Sequence, residues 1–397
     1  MIHLSNRINQ LSESETLAMS RKSRELKAQG HDVINLSLGE PDFYTPDDIK
    51  KAAKIAIDEN YTFYTPVNGY PELRKAISQK LKRDNNLDYS PEEIVTCTGA
   101  KQAIINALLC LVNPGDEVII PTPYWVSYSQ MVTIAEGKQV YIEAGIKNDF
   151  KITPAQLENA ITPKTRLFMF SSPCNPTGSV YSKAELEGLA RVFEKHPNVY
   201  ILSDEIYELI NFNKNHESIA RFESLKDRVV LINGVSKGFA MTGWRLGYMA
   251  SHIDIAKAVT KLQGQYTSAT CSIAQKAAQK AMEILPEDTW VMLDKFRERR
   301  DLVLELMKDI PGMKTNIPQG AFYIFPDISS YFGKRNGEHI INDANDFCMY
   351  LLNNAFVALV PGDAFGAPNC IRFSYATSNE LLIEAVKRIK SALSELN

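Results

Sequence analysis

A lysine at the end of an apolar strand, beside a hydroxyl and close to a guanidinium, is the first feature of this chain that can do chemistry. The run Val229-Val-Leu-Ile-Asn-Gly-Val235 reads as a buried strand. It leads into Ser236 and Lys237, and Arg245 follows eight residues after Lys237. An ammonium carried out of an apolar strand end loses hydration, so its pKa falls and the free amine can attack carbonyls. The Ser236 hydroxyl and the Arg245 fork can together hold a phosphate. A bare Ser-Lys pair would more often be a surface lysine in a strand-to-loop turn.

Other apolar runs also end in polar or aromatic residues. Val199-Tyr-Ile-Leu-Ser203 ends in Asp204, with Tyr207 three residues on. A carboxylate there must be paired or exposed, and capping a following helix is the plain alternative. Ile94-Val-Thr-Cys-Thr98 runs into Gly99, Ala100 and Lys101, a glycine turn before a helix whose free N–H groups suit phosphate. Lys101 in that first turn opposes the helix dipole, which hints at a ligand anion. Trp125 follows Pro121-Thr-Pro-Tyr124 and can stack on a planar ring, or simply pack. Asn175 opens Asn-Pro-Thr-Gly178, which is good turn chemistry by itself. Gly39 sits in a strand-end turn, Gly-Glu-Pro-Asp42, and Arg372 lies within the strand-like Cys370–Tyr375. Ligands of open α/β sheets gather at strand carboxyl ends, so one pocket accounts for these positions together.

The run Gly234–Tyr248 resembles the cofactor-lysine segment of the class I aminotransferases, which use pyridoxal phosphate (PLP), and further matches follow in order from Gly39 to Arg372. The nearest resemblance is to a bacterial subgroup (Ib) that acts on aspartate. It implies the α/β fold type I: a large domain with a mainly parallel seven-stranded sheet containing one antiparallel strand, and a small α/β domain. The expected divisions are an amino-terminal arm and part of the small domain over 1–45, the PLP domain over 46–288, and a connector helix with the small domain over 289–397.

The resemblance also implies roles. Lys237 holds PLP as a Schiff base and serves as general base; Ser236 and Arg245 bind its phosphate, with Gly99, Ala100 and Lys101 completing the cup. Trp125 stacks on the ring, Asp204 pairs with the ring nitrogen, and Asn175 and Tyr207 reach the phenolic oxygen. Tyr64 crosses to a partner's phosphate, which requires a homodimer with shared sites. Gly39, Trp125 and Asn175 contact substrate, Arg372 forks onto the α-carboxylate, Lys101 reads the distal carboxylate, and Ser14 and Thr16 assist. The implied reaction moves the amino group of L-aspartate to 2-oxoglutarate by a ping-pong route. An aromatic or broad-range aminotransferase, β-elimination on the same fold, and a silent PLP-binding module are the alternatives.

The elements that must position these residues are legible as periodic runs. Helices are expected from a Ser12-x-x-Glu15 capping box to Gln29, over 46–59, 153–161, 290–309 and 379–396, and strands over 33–38, 94–98, 116–120, 138–142, 166–170, 246–250 and 321–325. With 397 residues the chain exceeds one ordinary core. A net charge of −3 gives no basic field for nucleic acid. The six cysteines lack a Cys-x-x-Cys and read as reduced thiols of a cytoplasmic protein; the six histidines do not cluster, so no metal site is expected. No apolar run is long enough for a membrane span, and the first residues lack a signal-peptide core. No two glycines are two residues apart, which excludes a Gly-x-Gly-x-x-Gly dinucleotide fingerprint.

Overall fold

The computed structural model describes residues 2–13 and 15–397. Seven strands form one sheet: β1 (Ile94–Cys97), β2 (Glu117–Thr122), β3 (Lys138–Glu143), β4 (Thr165–Ser171), β5 (Tyr200–Asp204), β6 (Val229–Gly234) and β7 (Gly247–Ala250). Their spatial order is β1-β7-β6-β5-β4-β2-β3. β2 to β6 run parallel, and β7 lies antiparallel between β1 and β6. That is the mainly parallel sheet with one reversed strand that the resemblance implies.

Helices cover both faces, so the central strands are buried on both sides and read as continuous apolar runs. Successive residues point to opposite faces. Ile119, Phe168, Ile201 and Leu231 enter one core, while Val118, Leu167, Leu202 and Val230 enter the other. The outer strand β3 keeps exposed positions at Lys138, Tyr141 and Glu143, as a sheet edge allows.

A third core draws on both chain ends. Ile34 and Leu36 pack there with Phe322, Val357, Phe373 and Ile389. Two short sheets support it: Ile34–Asn35 pairs in parallel with Val357–Ala358, and Ile371–Ser374 lies antiparallel between Val360–Pro361 and Tyr323–Ile324. The long helix Trp290–Met307 packs against the closing helix Asn379–Leu393.

Several expected elements end earlier than the periodicity predicts. The run 33–38 forms a strand over Ile34–Asn35 alone, because its partner is two residues long. Leu36 then links the two small sheets: its N–H donates to Ala358 O, and its carbonyl accepts from Ser374 N. The strand expected over 321–325 shrinks to Tyr323–Ile324, since Ala321 takes a left-handed φ of +56°. The helix expected from a Ser12 cap begins at Glu15, so Ser12 stands three residues ahead of it and its N–H goes to Gln130 Oε1.

Candidate active site

The parallel strands deliver their carboxyl ends to one cavity of about 430 Å³. Lys237 leaves β6 through Ser236 and projects into it, half-buried, with Nζ donating to the carbonyl of Gly39. Desolvation lowers its pKa from the usual 10.5 to about 8; the charges of Arg372 and Arg245 act the same way, and Glu40 and Asp204 oppose them. A substantial share of the amine is therefore neutral near pH 8, as a nucleophile or base requires.

Asp204 is the last residue of β5 and only 4% exposed. No helix follows it, so it caps nothing; its Oδ2 accepts from Tyr128 Oη at 2.6 Å and its Oδ1 from the Ile206 N–H at 3.3 Å. Burial raises its pKa to about 6, against those two hydrogen bonds; neighbouring Glu205 adds to the rise and Lys237 offsets it. The result is a desolvated carboxylate, ionised above pH 6, which suits a cationic ring nitrogen. Tyr207, on the turn after β5, shares a hydrogen bond of 2.8 Å with Tyr323 Oη.

The donor-rich end of the cavity is built on backbone. Gly99 caps the helix Ala100–Leu111 with a φ of +81°, and a Cβ there would stand 2.3 Å from Arg245 Nη2. Only glycine lets the guanidinium lie so close to the helix start. First-turn N–H groups have no acceptor within their own helix, so Ala100, Ser236 and Arg245 present donors to this end of the cavity. Arg245 itself has a left-handed φ of +53° and anchors Nη1 on Thr242 O at 2.8 Å.

Arg372 forms another wall. It lies in the strand Ile371–Ser374 and is 2% exposed. Nη1 donates to Asn175 Oδ1 at 3.0 Å, Nη2 donates to Ser37 O, and Nε is buried with no partner among the described residues. Its plane lies 4.6 Å over the Tyr323 ring. A buried guanidinium is costly unless acceptors surround it, and a carboxylate in the cavity would add one to the face that lines it. Asn175 gives its oxygen to Arg372, which leaves its Nδ2 free to donate to a ligand. Gly39 borders the same region: a Cβ would meet Tyr323 Oη at 2.7 Å, so backbone itself forms the wall.

Lys101 and Trp125 complete the cavity, with Lys101 Nζ 4.9 Å from the indole centroid. Desolvation and nearby Arg245 lower the Lys101 pKa. Thr16 lines the cavity; Ser14 lies outside the described residues. Thr98 stands apart from the lining and gives its N–H to Gln102 Oε1. Tyr64 is 99% exposed and also stands apart from this chain's cavity.

Sequence reasoning misses several lining residues, two of which set a phenol against a predicted one. Tyr128 lies one helical turn after Trp125 and accepts no other reading once its contact with Asp204 is seen; the Trp-x-x-Tyr spacing is the signal that could have found it. Tyr323 sits in the apolar run Ala321–Phe325 and is indistinguishable there from a core residue.

The residues fit a flat, phosphate-bearing cofactor: a donor-rich helix start, an amine with lowered pKa, a desolvated carboxylate and an indole wall line one cavity. Comparison with known proteins agrees. The family described as Aminotransferase class I and II matches residues 31–389. The chain is 47% identical, over the whole of both sequences, to the aspartate/prephenate aminotransferase of Cereibacter sphaeroides. It is 46% identical to the aspartate aminotransferase of Bacillus subtilis over 98% of each. The crystal structure of the aspartate aminotransferase from Rhizobium meliloti superposes with a TM-score of 0.97 at 42% identity, covering both chains fully. The Thermus thermophilus enzyme with maleate superposes at 0.93 and 39% identity, over 99% of this chain and 100% of that one.

Proposed function

The chain belongs to the class I and II aminotransferases, and from that premise we propose that it moves the amino group of L-aspartate to 2-oxoglutarate, yielding oxaloacetate and L-glutamate, with PLP held at Lys237. The observation that carries this reading is the Lys237 amine, brought to a pKa of about 8 in a cavity that Asp204 and Arg372 also line. When bound, PLP supplies an aldehyde that exchanges with amines and a ring that accepts the electron pair released at the substrate α-carbon.

The chain's own residues do the rest. Gly99, Ala100, Ser236 and Arg245 would hold the phosphate, and Trp125 would lie against the ring. Asp204, kept in place by Tyr128, would hold the proton of the ring nitrogen, while Tyr207 and the Asn175 amide would donate to the phenolic oxygen. Arg372, a lining residue of the cavity, would fork onto the substrate α-carboxylate. Lys101 supplies the second cation, which selects a dicarboxylate. Lys237 Nζ takes the α-proton and returns it.

The same reading extends to the assembly. Phe63 and Tyr64 are 80% and 99% exposed on one loop, and a second copy of the chain would cover them, Tyr64 reaching the partner's phosphate end. The division at 1–45, 46–288 and 289–397 draws on the third core, which joins residues 19–36 to 292–396 and meets the large domain at Ile206, Tyr207, Ile210 and Phe212. Among the described residues no helix is long and apolar enough to cross a membrane; we place the enzyme in the cytoplasm.

The test is the visible spectrum of the PLP-loaded protein. L-Aspartate alone should bleach the yellow band and 2-oxoglutarate should restore it. A protein that ignores aspartate but bleaches with tyrosine or alanine would contradict the role given to Lys101. Prephenate is a second acceptor to include: the Cereibacter relative is named for it. Like 2-oxoglutarate it combines a 2-oxo acid with a second carboxylate, which Arg372 and Lys101 suit.

A further inference from the structure

Behind the turn that follows β5 lies a dry charged network that the reaction does not use. Asp204 and Tyr207 face the cavity, while Glu205 and Glu208, on the same turn, face the opposite way and are 1% and 9% exposed. Lys80, from the helix Pro71–Asn85, pairs with Glu208 Oε1, and its Nζ also donates to Asn85 Oδ1 at 2.7 Å. Asn85 Nδ2 donates to Glu208 Oε2 at 2.7 Å. Glu205 accepts from Ser203 at 2.8 Å and Ser218 at 2.6 Å, and meets His216 Nε2 at 2.7 Å.

Glu205, Glu208 and His216 bring ligand atoms within 4.8 Å of one another, the arrangement of a metal cluster. The Lys80 ammonium already takes the cation's place beside Glu208, so the cluster needs no ion. Burying two carboxylates and an ammonium is expensive, and well-packed apolar residues would often be at least as stable. A purely structural role therefore accounts poorly for charge at this position. The alternation along the turn suggests another use: each residue facing the cavity has a neighbour fixed from behind.

We propose that Lys80, Glu208 and Asn85, with Glu205 and its three partners, form a positioning network that holds Asp204 and Tyr207 in register with the cofactor. Lys80 and Asn85 clamp Glu208, the residue after Tyr207. Ser203, Ser218 and His216 clamp Glu205, the residue after Asp204. Two backbone bonds finish the turn, Glu205 N to Ile232 O and Glu208 N to Glu205 O, both 2.9 Å. A carboxylate that must meet a ring nitrogen tolerates little displacement, and such support from behind is what locks its rotamer. Lys80 keeps Glu208 ionised in spite of burial, with His216 assisting. The proposal rests on the PLP reading for its consequence, though not for its geometry.

The test removes the clamp without leaving a bare charge. Lys80→Met alone strands a buried carboxylate and can unfold the protein. Lys80→Met with Glu208→Gln removes both charges, and the amide retains partners in Asn85. In the apoprotein of this double variant, amide exchange over residues 205–208 should quicken about tenfold while exchange in β2 and β4 stays as before. PLP affinity should fall about tenfold. In the loaded enzyme kcat should fall by a similar factor with the aspartate KM nearly unchanged, because Arg372 and Lys101 stand on other elements. Unchanged exchange over 205–208 overturns the proposal, as does an overall loss of protection in which this turn is not singled out. Local quickening in a protein whose unmodified form takes up no PLP keeps the positioning role and sinks the cofactor reading instead.

Discussion

The helix-start end of the cavity and the Arg372 wall both offer donors to negative charge, by opposite means. Gly99, Ala100, Ser236 and Arg245 use a helix start and a turn on the large sheet, and Arg245 stays exposed. Arg372 is set inside a strand of a small sheet, almost wholly buried, with one N–H unsatisfied. The first end spreads its donors over several groups, of which the Arg245 side chain is open to salt and water. The second concentrates them in one desolvated side chain. A cofactor that stays bound suits the first design; a substrate that must be discriminated and released suits the second.

The sharpest way to break this contrast is at Arg372. Arg372→Lys keeps the charge but loses the fork, and kcat/KM for aspartate should fall roughly 10² to 10³-fold, as the loss of about two charge-assisted hydrogen bonds implies. A fall under tenfold would mean that the wall is not where the α-carboxylate binds. Arg245→Ala, at the exposed end, should weaken PLP binding only about tenfold, and raising the salt should narrow the gap between variant and parent. If salt leaves that gap unchanged, the two ends do not differ as described.

Tyr128→Phe removes the hydroxyl that donates to Asp204 and should cost about 1 to 2 kcal/mol in PLP affinity at pH 7, read by equilibrium titration. The sign follows from Asp204: its pKa is already raised to about 6, and losing the Tyr128 donor raises it further, so more of it is protonated at pH 7. PLP binding by the variant should therefore recover at higher pH. The smallest effect concerns Lys237 in the apoprotein. PLP capture needs a neutral amine, so its rate should rise with pH through about 8 instead of near the usual 10.5.

The same contrast explains what the sequence could show. The large-sheet residues are legible because each stands at the end of an apolar run: Asp204 closing β5, Lys237 after β6, Gly99 after β1. A charge or glycine there breaks a pattern and draws notice. Arg372 is legible as a lone arginine in an apolar strand, though its burial and its contact with Asn175 are not. Tyr323 cannot be seen, because an aromatic in an apolar run breaks nothing. The Lys80–Glu208 pair is invisible for a further reason: 128 residues separate its members, and each alone looks like a solvated surface charge. Element ends depart from the periodicity where short partners set the length, as at Ile34–Asn35.

The central claim is that Lys237, among all the lysines, carries the cofactor. Loading the protein with PLP, reducing it with borohydride and mapping the labelled peptide by mass spectrometry tests it directly. Lys237 alone should be modified, and Lys237→Ala should carry no stable label. Stoichiometric label on Lys101 or any other lysine, with Lys237 unmodified, would contradict it.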